Sequence, residues 1–198
     1  MEPREVADRP ASWPVVDSRD IHRDDWVVAV REDTITRPGR PDEAFKRIVV
    51  EHSGAVVVLA VDDDEHVVCL RQYRHVTGFE HIELPAGLRD AGDEPPVETA
   101  KRELLEEVEL EAREWRRLLS TFPSAGIIDE VHEIFLARDL RPADRGDFSP
   151  HHEEAEMEVL RVPMAQLLDA VLAGDVREGP LVQAVLAYDV LKRRGSLA

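Results

Sequence analysis

Gly87-Leu88-Arg89-Asp90-Ala91-Gly92-Asp93-Glu94-Pro95-Pro96-Val97-Glu98-Thr99-Ala100-Lys101-Arg102-Glu103-Leu104-Leu105-Glu106-Glu107-Val108-Glu109-Leu110 is the stretch on which the reading of this chain turns. Pro96 suits a first helical turn, where its missing N–H has no partner to lose. Val97, Leu104 and Val108 fall on one stripe at 3.6 residues per turn, so a helix with a core face is predicted from Pro96 to about Val108. Glu103, Glu106 and Glu107 span about 100° on another flank, with Glu103 and Glu107 one turn apart. Like charges at this spacing repel, and two of the three sit in the last turn, where the helix dipole disfavours anions. Taken alone, such a run is more often the solvated face of an acidic helix. A divalent cation held by oxygen ligands is the alternative that compensates the broken rule. Mg²⁺ fits best, because it is commonly bound by a few carboxylates together with substrate phosphates, and Mn²⁺ is a second choice.

The surrounding composition narrows the partners. The 198 residues carry a net charge of −17, and nine acidic residues stand against three basic ones between 87 and 111. A chain so acidic, without a basic cluster, is a poor surface for neutralising phosphates by counterion release, so nucleic acid polymers and anionic membranes are not expected partners. The hydrophobic 43% is enough for a core. Cys69 is the single cysteine, which excludes an internal disulfide framework and a CxxC metal site. No apolar run approaches the length of a membrane-spanning helix, and Met1 to Asp8 lack an apolar leader segment, so a cytoplasmic protein is expected.

Around the helix, the chain reads as strands and two more helices. Residues 1–12 are expected to be a disordered tail. Strands are predicted at 26–35 and 45–51, and the apolar run Ala55 to Val61, the acidic turn Asp62-Asp63-Asp64-Glu65 and Val67 to Leu70 read as a buried hairpin. Further strands are predicted at 82–84, 117–121, 131–137 and 157–162, with amphipathic helices near 165–172 and 181–192. Strands mixed with three helices predict an α/β protein, a mixed sheet covered by helices.

The whole acidic segment resembles the Nudix box, G-x5-E-x7-R-E-U-x-E-E-x-G-U with U an aliphatic residue. Arg102, Glu103, Leu104, Glu106, Glu107, Glu94 and Leu110 stand at its required spacing. There are two departures: Gly87 precedes Glu94 by one residue too many, and Glu109 replaces the closing Gly. Ile82-Glu83-Leu84-Pro85-Ala86-Gly87 is similar to the ELPAG segment of the ADP-ribose pyrophosphatase branch, and Arg71-Gln72-Tyr73-Arg74 to its RQYR. Ser124-Ala125-Gly126-Ile127-Ile128-Asp129-Glu130 is similar to that branch's S/A-P-G-F-S-D-E loop, with Ala125 in place of the proline and Ile127 and Ile128 in place of Phe and Ser.

The resemblance implies a Nudix fold, a mixed β-sheet in an α/β/α sandwich spanning residues 46–198. A small β-rich region, residues 1–45, would precede it and build a homodimer. It implies Mg²⁺-dependent hydrolysis of ADP-ribose to AMP and ribose 5-phosphate, with other nucleoside diphosphate sugars, or a nucleotide-sensing domain without catalysis, as alternatives. Carried over residue by residue, Glu103 and Glu107 are main metal ligands, with Glu106 in support and the Ala86 carbonyl as a further ligand. Gly87, Glu94 and Arg102 build the box, with Arg102 paired to Glu94. The general base falls on Glu154 or Glu153, in an acidic loop whose His151 and His152 read as surface residues. Arg71 and Arg74 suit a diphosphate or ribose phosphate, since guanidinium matches phosphate bidentately. Glu83 suits ribose or adenine groups, and Arg47 the adenosine end. Trp26 would stack on a base or join the core.

Overall fold

In the computed structural model, which describes residues 6–90, 92–146, 148–149 and 155–197, the run Val56 to Val61 is removed from solvent almost entirely. Its strand β4 (Ala55–Ala60) is flanked on both edges, antiparallel by β7 (Ala86–Leu88) and parallel by β9 (His132–Pro142). β8 (Leu110–Thr121) closes the far side of β9 in antiparallel register, giving a four-stranded mixed sheet. A strand covered on both faces needs apolar residues at consecutive positions, which is why β4 shows no alternation.

Side chains of β4 still alternate in direction. Val56, Val58 and Ala60 pack with Ala100, Leu104 and Val108 of α1 (Pro96–Val108). Val57 and Leu59 pack with Met164 and Leu167 of α2 (Met164–Ala173) and with Leu181, Ala184, Val185 and Tyr188 of α3 (Gly179–Arg193). Helices therefore cover both faces, and the α/β/α sandwich is the observed architecture. The predicted helix ends at 96 and 108 coincide with those of α1.

The buried hairpin does not form as expected. β5 (His66–Arg74) follows β4 through a tight turn, with the bridge Val61–Val67 and the bond from Asp62 N–H to His66 O at 3.0 Å, but it forms no ladder with β4 because both edges of β4 are taken. It pairs instead with β10 (Glu158–Pro163) and β6 (Phe79–Glu83) in a separate antiparallel sheet. The connection is held from behind by Glu65, which adopts φ +60 in the turn. Its carboxylate accepts from Arg138 at 2.6 Å, Tyr188 at 2.8 Å and Lys192 at 2.7 Å. Burial alone would raise its pKa, but the bonds from Lys192, Tyr188 and Arg138 outweigh it and hold the group at about 2.

The described residues up to His52, joined by Gly126–Asp129, form a separate compact unit from the one that starts at Ser53. It is a three-stranded antiparallel sheet of β1 (Val15–His22), β2 (Ala29–Arg37) and β3 (Arg40–Glu51). β3 pairs with β2 as far as Glu51, so this unit runs past residue 45. Gly126–Asp129 attaches where Val50 N–H donates to Ile127 O at 2.8 Å and Asp129 N–H to Val50 O at 3.1 Å. β1 is a strand that hydropathy did not predict. Every one of its residues is exposed, so pairing with β2 and not burial defines it. Trp26 lies in a bend ahead of β2, 69% exposed, and is neither in a strand nor in a core.

Candidate functional site

The site is built from α1 and the strand–loop segment that crosses its acidic flank. Pro95 precedes the helix and Pro96 opens it, and Thr99 Oγ1 in its first turns donates to Glu94 Oε2 at 2.8 Å, tying the incoming loop to the helix. Glu94 is thus held by Thr99. Arg102 does not bond it and instead reaches Glu103 at 2.8 Å and Glu106 at 3.2 Å, correcting the expected Arg102–Glu94 pair. The reason is local: Glu106 is one turn away and Glu103 is adjacent, so the guanidinium meets them first. Partial burial works against the Arg102 charge, but the neighbouring carboxylates of Glu103 and Glu106 more than offset it and its pKa rises, with Glu94 adding from a distance.

Glu103 and Glu107 face β7. The Ala86 N–H donates to Glu107 Oε2 at 3.0 Å. The Glu103 carboxyl occupies the space that a Cβ on Gly87 would fill, so only glycine leaves it room. Ala86, Gly87, Glu103 and Glu107 therefore converge, with Glu106 half-buried on the same flank beside Arg102. Among the described residues no three His, Cys, Asp or Glu side chains already form a cluster at metal-ligand spacing. The carboxylates of Glu103 and Glu107 offer oxygens of the hard type that Mg²⁺ prefers, and Gly87 leaves room for the Glu103 carboxyl beside the β7 backbone. The residues present fit a hard divalent cation.

A second cluster joins three other elements. Arg74, last residue of β5, binds Glu83 at the end of β6 through Nε at 3.0 Å and 3.2 Å and Nη2 at 2.6 Å. Glu83 is buried, and this bidentate bond is what satisfies it. The bond to Glu83 raises the Arg74 pKa despite desolvation, and the charges of Glu107 and Glu178 add to it. Arg71 is held separately, by Glu158 of β10 at 3.1 Å. Each arginine thus comes with a carboxylate partner.

Arg47 and Trp26 belong to the N-terminal unit. Arg47 lies on β3 opposite Asp33 of β2, with its guanidinium 4.4 Å from the Phe45 ring centroid. Glu153 and Glu154 lie outside the described residues, as do His151 and His152. Sequence reasoning missed Glu178, which caps α3 by accepting from Leu181 N–H, and Glu158, the partner of Arg71. A glutamate directly ahead of Gly179-Pro180, where a helix begins, was the available signal for the first.

A family model described as the NUDIX domain matches residues 51–184, and the chain belongs to the Nudix family. It is 40% identical to the ADP-ribose pyrophosphatase of Mycobacterium tuberculosis over 161 residues, 81% of this chain and 76% of that protein. It is 32% identical to the ADP-ribose pyrophosphatase of Bacillus subtilis over 143 residues, 72% of this chain and 76% of that protein. Among solved structures, a crystal structure of an ADP compounds hydrolase superposes with a TM-score of 0.73 at 23% identity, covering 96% of this chain and all of the other. That likeness speaks for the fold, since function resides in sites and not in architecture.

Proposed function

We propose that this protein is a divalent-cation-dependent pyrophosphohydrolase that cleaves ADP-ribose to AMP and ribose 5-phosphate. The observation that carries the reading is the convergence of Glu103 and Glu107 on the Ala86–Gly87 segment, where Ala86 N–H binds Glu107 and Gly87 makes room for Glu103. The 40% identical ADP-ribose pyrophosphatase points to the substrate.

Mg²⁺, or Mn²⁺ in its place, would be held by Glu103 and Glu107, with Glu106 and the Ala86 carbonyl in support. When bound, such an ion neutralises the diphosphate and acidifies water. The remaining chemistry belongs to the chain. Water attacks one phosphorus, the bridging P–O bond breaks, and the departing phosphate takes the bonding electron pair. A carboxylate accepts the water proton. Glu154 is the proposed base and Glu153 its alternative. Arg102 keeps the carboxylates of Glu103 and Glu106 apart and oriented, which lowers the cost of crowding them on one flank. Arg71 and Arg74, each steadied by a carboxylate, contribute cationic N–H donors toward the substrate phosphates. Glu83 acts here through Arg74, and Arg47 and Trp26 are assigned to the adenosine end.

The reading includes a homodimer built by residues 1–45 and a cytoplasmic location. The apolar side chains Trp13, Val15, Val16 and Ile21 exposed along and beside β1 support the first. A single cysteine that can form no internal disulfide supports the second. No helix among the described residues is long and apolar enough to cross a membrane. Ala125, Ile127 and Ile128 keep other nucleoside diphosphate sugars in the comparison.

The test is release of AMP from ADP-ribose with Mg²⁺, run beside a panel of nucleoside diphosphate sugars, for wild type and Glu107→Gln. The expected result is turnover of ADP-ribose in preference, with the variant slower by at least about 100-fold. Preference for another sugar nucleotide would overturn the substrate, and no turnover of any panel member would overturn the enzyme.

A further inference from the structure

Arg89 carries a half-buried charge that the fold does not answer. Arg71, Arg74, Arg102, Arg138 and Arg145 each meet a carboxylate at 2.6–3.2 Å. Arg89 is half-buried, its Nε is closed off from solvent without a hydrogen-bond partner, and no acidic side chain among the described residues pairs with it. Withdrawing a guanidinium from water without a counter-charge costs stability, and the chain has 42 acidic residues from which to supply one.

The backbone places this charge beside the proposed metal ligands. β7 ends at Leu88, but Arg89 N–H still donates to Gly54 O at 3.0 Å, so the alternation of the strand carries through it. Gly87 and Arg89 therefore share one face of the sheet, about 7 Å apart along the strand. It is the face on which the Glu103 carboxyl lies against Gly87. From there the Arg89 side chain crosses toward β4 over Gly54, since a Cβ on that glycine would stand 3.7 Å from its Cδ and from its Nη1. Arg89, Gly54, Gly87 and Glu103 all belong to the unit that starts at Ser53. Arg89 also falls between Gly87 and Glu94, the segment that is one residue longer than in the Nudix box.

We propose that Arg89 is a substrate-binding residue whose guanidinium takes phosphate oxygens of the diphosphate as the counter-charge that the fold withholds. The role deepens the ADP-ribose reading and rests on it. In such a substrate the diphosphate is the anionic part, and a planar guanidinium matches two phosphate oxygens at once. Arg71 and Arg74 already give donors to Glu158 and Glu83, whereas Arg89 Nε–H is unclaimed among the described residues. Binding and stability then oppose each other at this position: the charge is a cost to the empty protein and is satisfied only with ligand.

Two variants test this. Arg89→Met keeps the apolar stem and removes the charge, and Arg89→Lys keeps the charge without the planar fork. Affinity for ADP-ribose and for inorganic pyrophosphate is measured by calorimetry in EDTA, a reading independent of turnover, beside the ligand-free melting temperature and KM and kcat with Mg²⁺. Arg89→Met is expected to weaken both ligands about tenfold and to raise KM for ADP-ribose by a similar factor, with kcat changed less. It is expected to melt at or above the wild-type temperature, and Arg89→Lys to recover part of the lost affinity. A merely structural arginine gives the opposite pattern. Unchanged affinity in Arg89→Met, or a melting temperature several degrees below wild type, would overturn the proposal. Wild type that binds pyrophosphate, more weakly in Arg89→Met, but neither binds nor cleaves ADP-ribose overturns the substrate reading and leaves the role of Arg89 standing. Wild type that binds neither ligand and cleaves no ADP-ribose overturns both.

Discussion

Gly87 is the residue on which the geometry of the site is most finely balanced. Its backbone is not in the left-handed region, so alanine there incurs no backbone strain. What alanine meets is the Glu103 carboxyl, the movable end of a side chain, which must swing away. Gly87→Ala is therefore expected to fold with a melting temperature close to wild type while losing about tenfold or more in Mn²⁺ affinity, measured by electron paramagnetic resonance. Unchanged Mn²⁺ affinity would remove Glu103 from the ligand set. The identity and spacing of Glu103, Glu106 and Glu107 were legible in the sequence because helical periodicity is local. That Arg102 sits between Glu103 and Glu106 and leaves Glu94 to Thr99 was not, since Arg102 has several acidic neighbours within reach and only the packed side chains choose among them.

At the scale of elements, α1 ends on a residue that departs from the box. Glu109 takes φ 54 and ψ 43, the left-handed cap conformation that glycine adopts without cost, and its N–H bonds to Leu105 O at 3.0 Å. The turn thus forms with glutamate where the box has glycine, and Glu109 also pairs with Arg145 at 3.2 Å. Relief of the left-handed strain is worth about 1 kcal/mol and the exposed ion pair only a few tenths, so Glu109→Gly is expected to raise the melting temperature by a few degrees. A lower melting temperature would mean that the Arg145 pair dominates.

The Glu65 junction makes a prediction of opposite kind. Its pKa in the fold, about 2, lies below the ordinary 4.5, so the fold favours the ionised form. Its stabilising contribution is present above about pH 4.5 and is lost as pH falls through about 2. Thermal melts of Glu65→Gln should therefore lie furthest below wild type near neutrality and converge with it as pH approaches 2. A gap that stays constant with pH would show that Arg138, Tyr188 and Lys192 do not depend on the charge. The failure of the hairpin reading belongs at this scale too. An apolar run, an acidic turn and a second apolar run describe a hairpin equally well as two strands in different sheets, and the competition for the edges of β4 decides between them.

For the whole molecule, β1 is the element whose purpose a single chain does not explain. All its residues are exposed, and Val15, Val16 and Ile21 are each more than half exposed. If this sheet mediates self-association, sedimentation equilibrium gives twice the chain mass, and Val16→Lys with Ile21→Lys shifts it toward the monomer by introducing buried, unpaired charge. A wild-type monomer at micromolar concentration would end the homodimer proposal.

The sequence by itself determined the helix α1 with its acidic flank, the glycine and backbone segment that faces it, the helices near the C-terminus, and the family. Each of these is written in contiguous residues whose spacing follows from the geometry of one helix or one strand. Tertiary structure alone decided that β4 lies between β7 and β9, that Arg102 serves Glu103 and Glu106, that the exposed segment β1 is a strand, and that Arg74 and Glu83 come together from β5 and β6. Those outcomes depend on which edges pair and which charges meet when distant parts of the chain pack. No local period encodes that choice, because it is a competition among many partners that are equally near in composition and far apart in sequence.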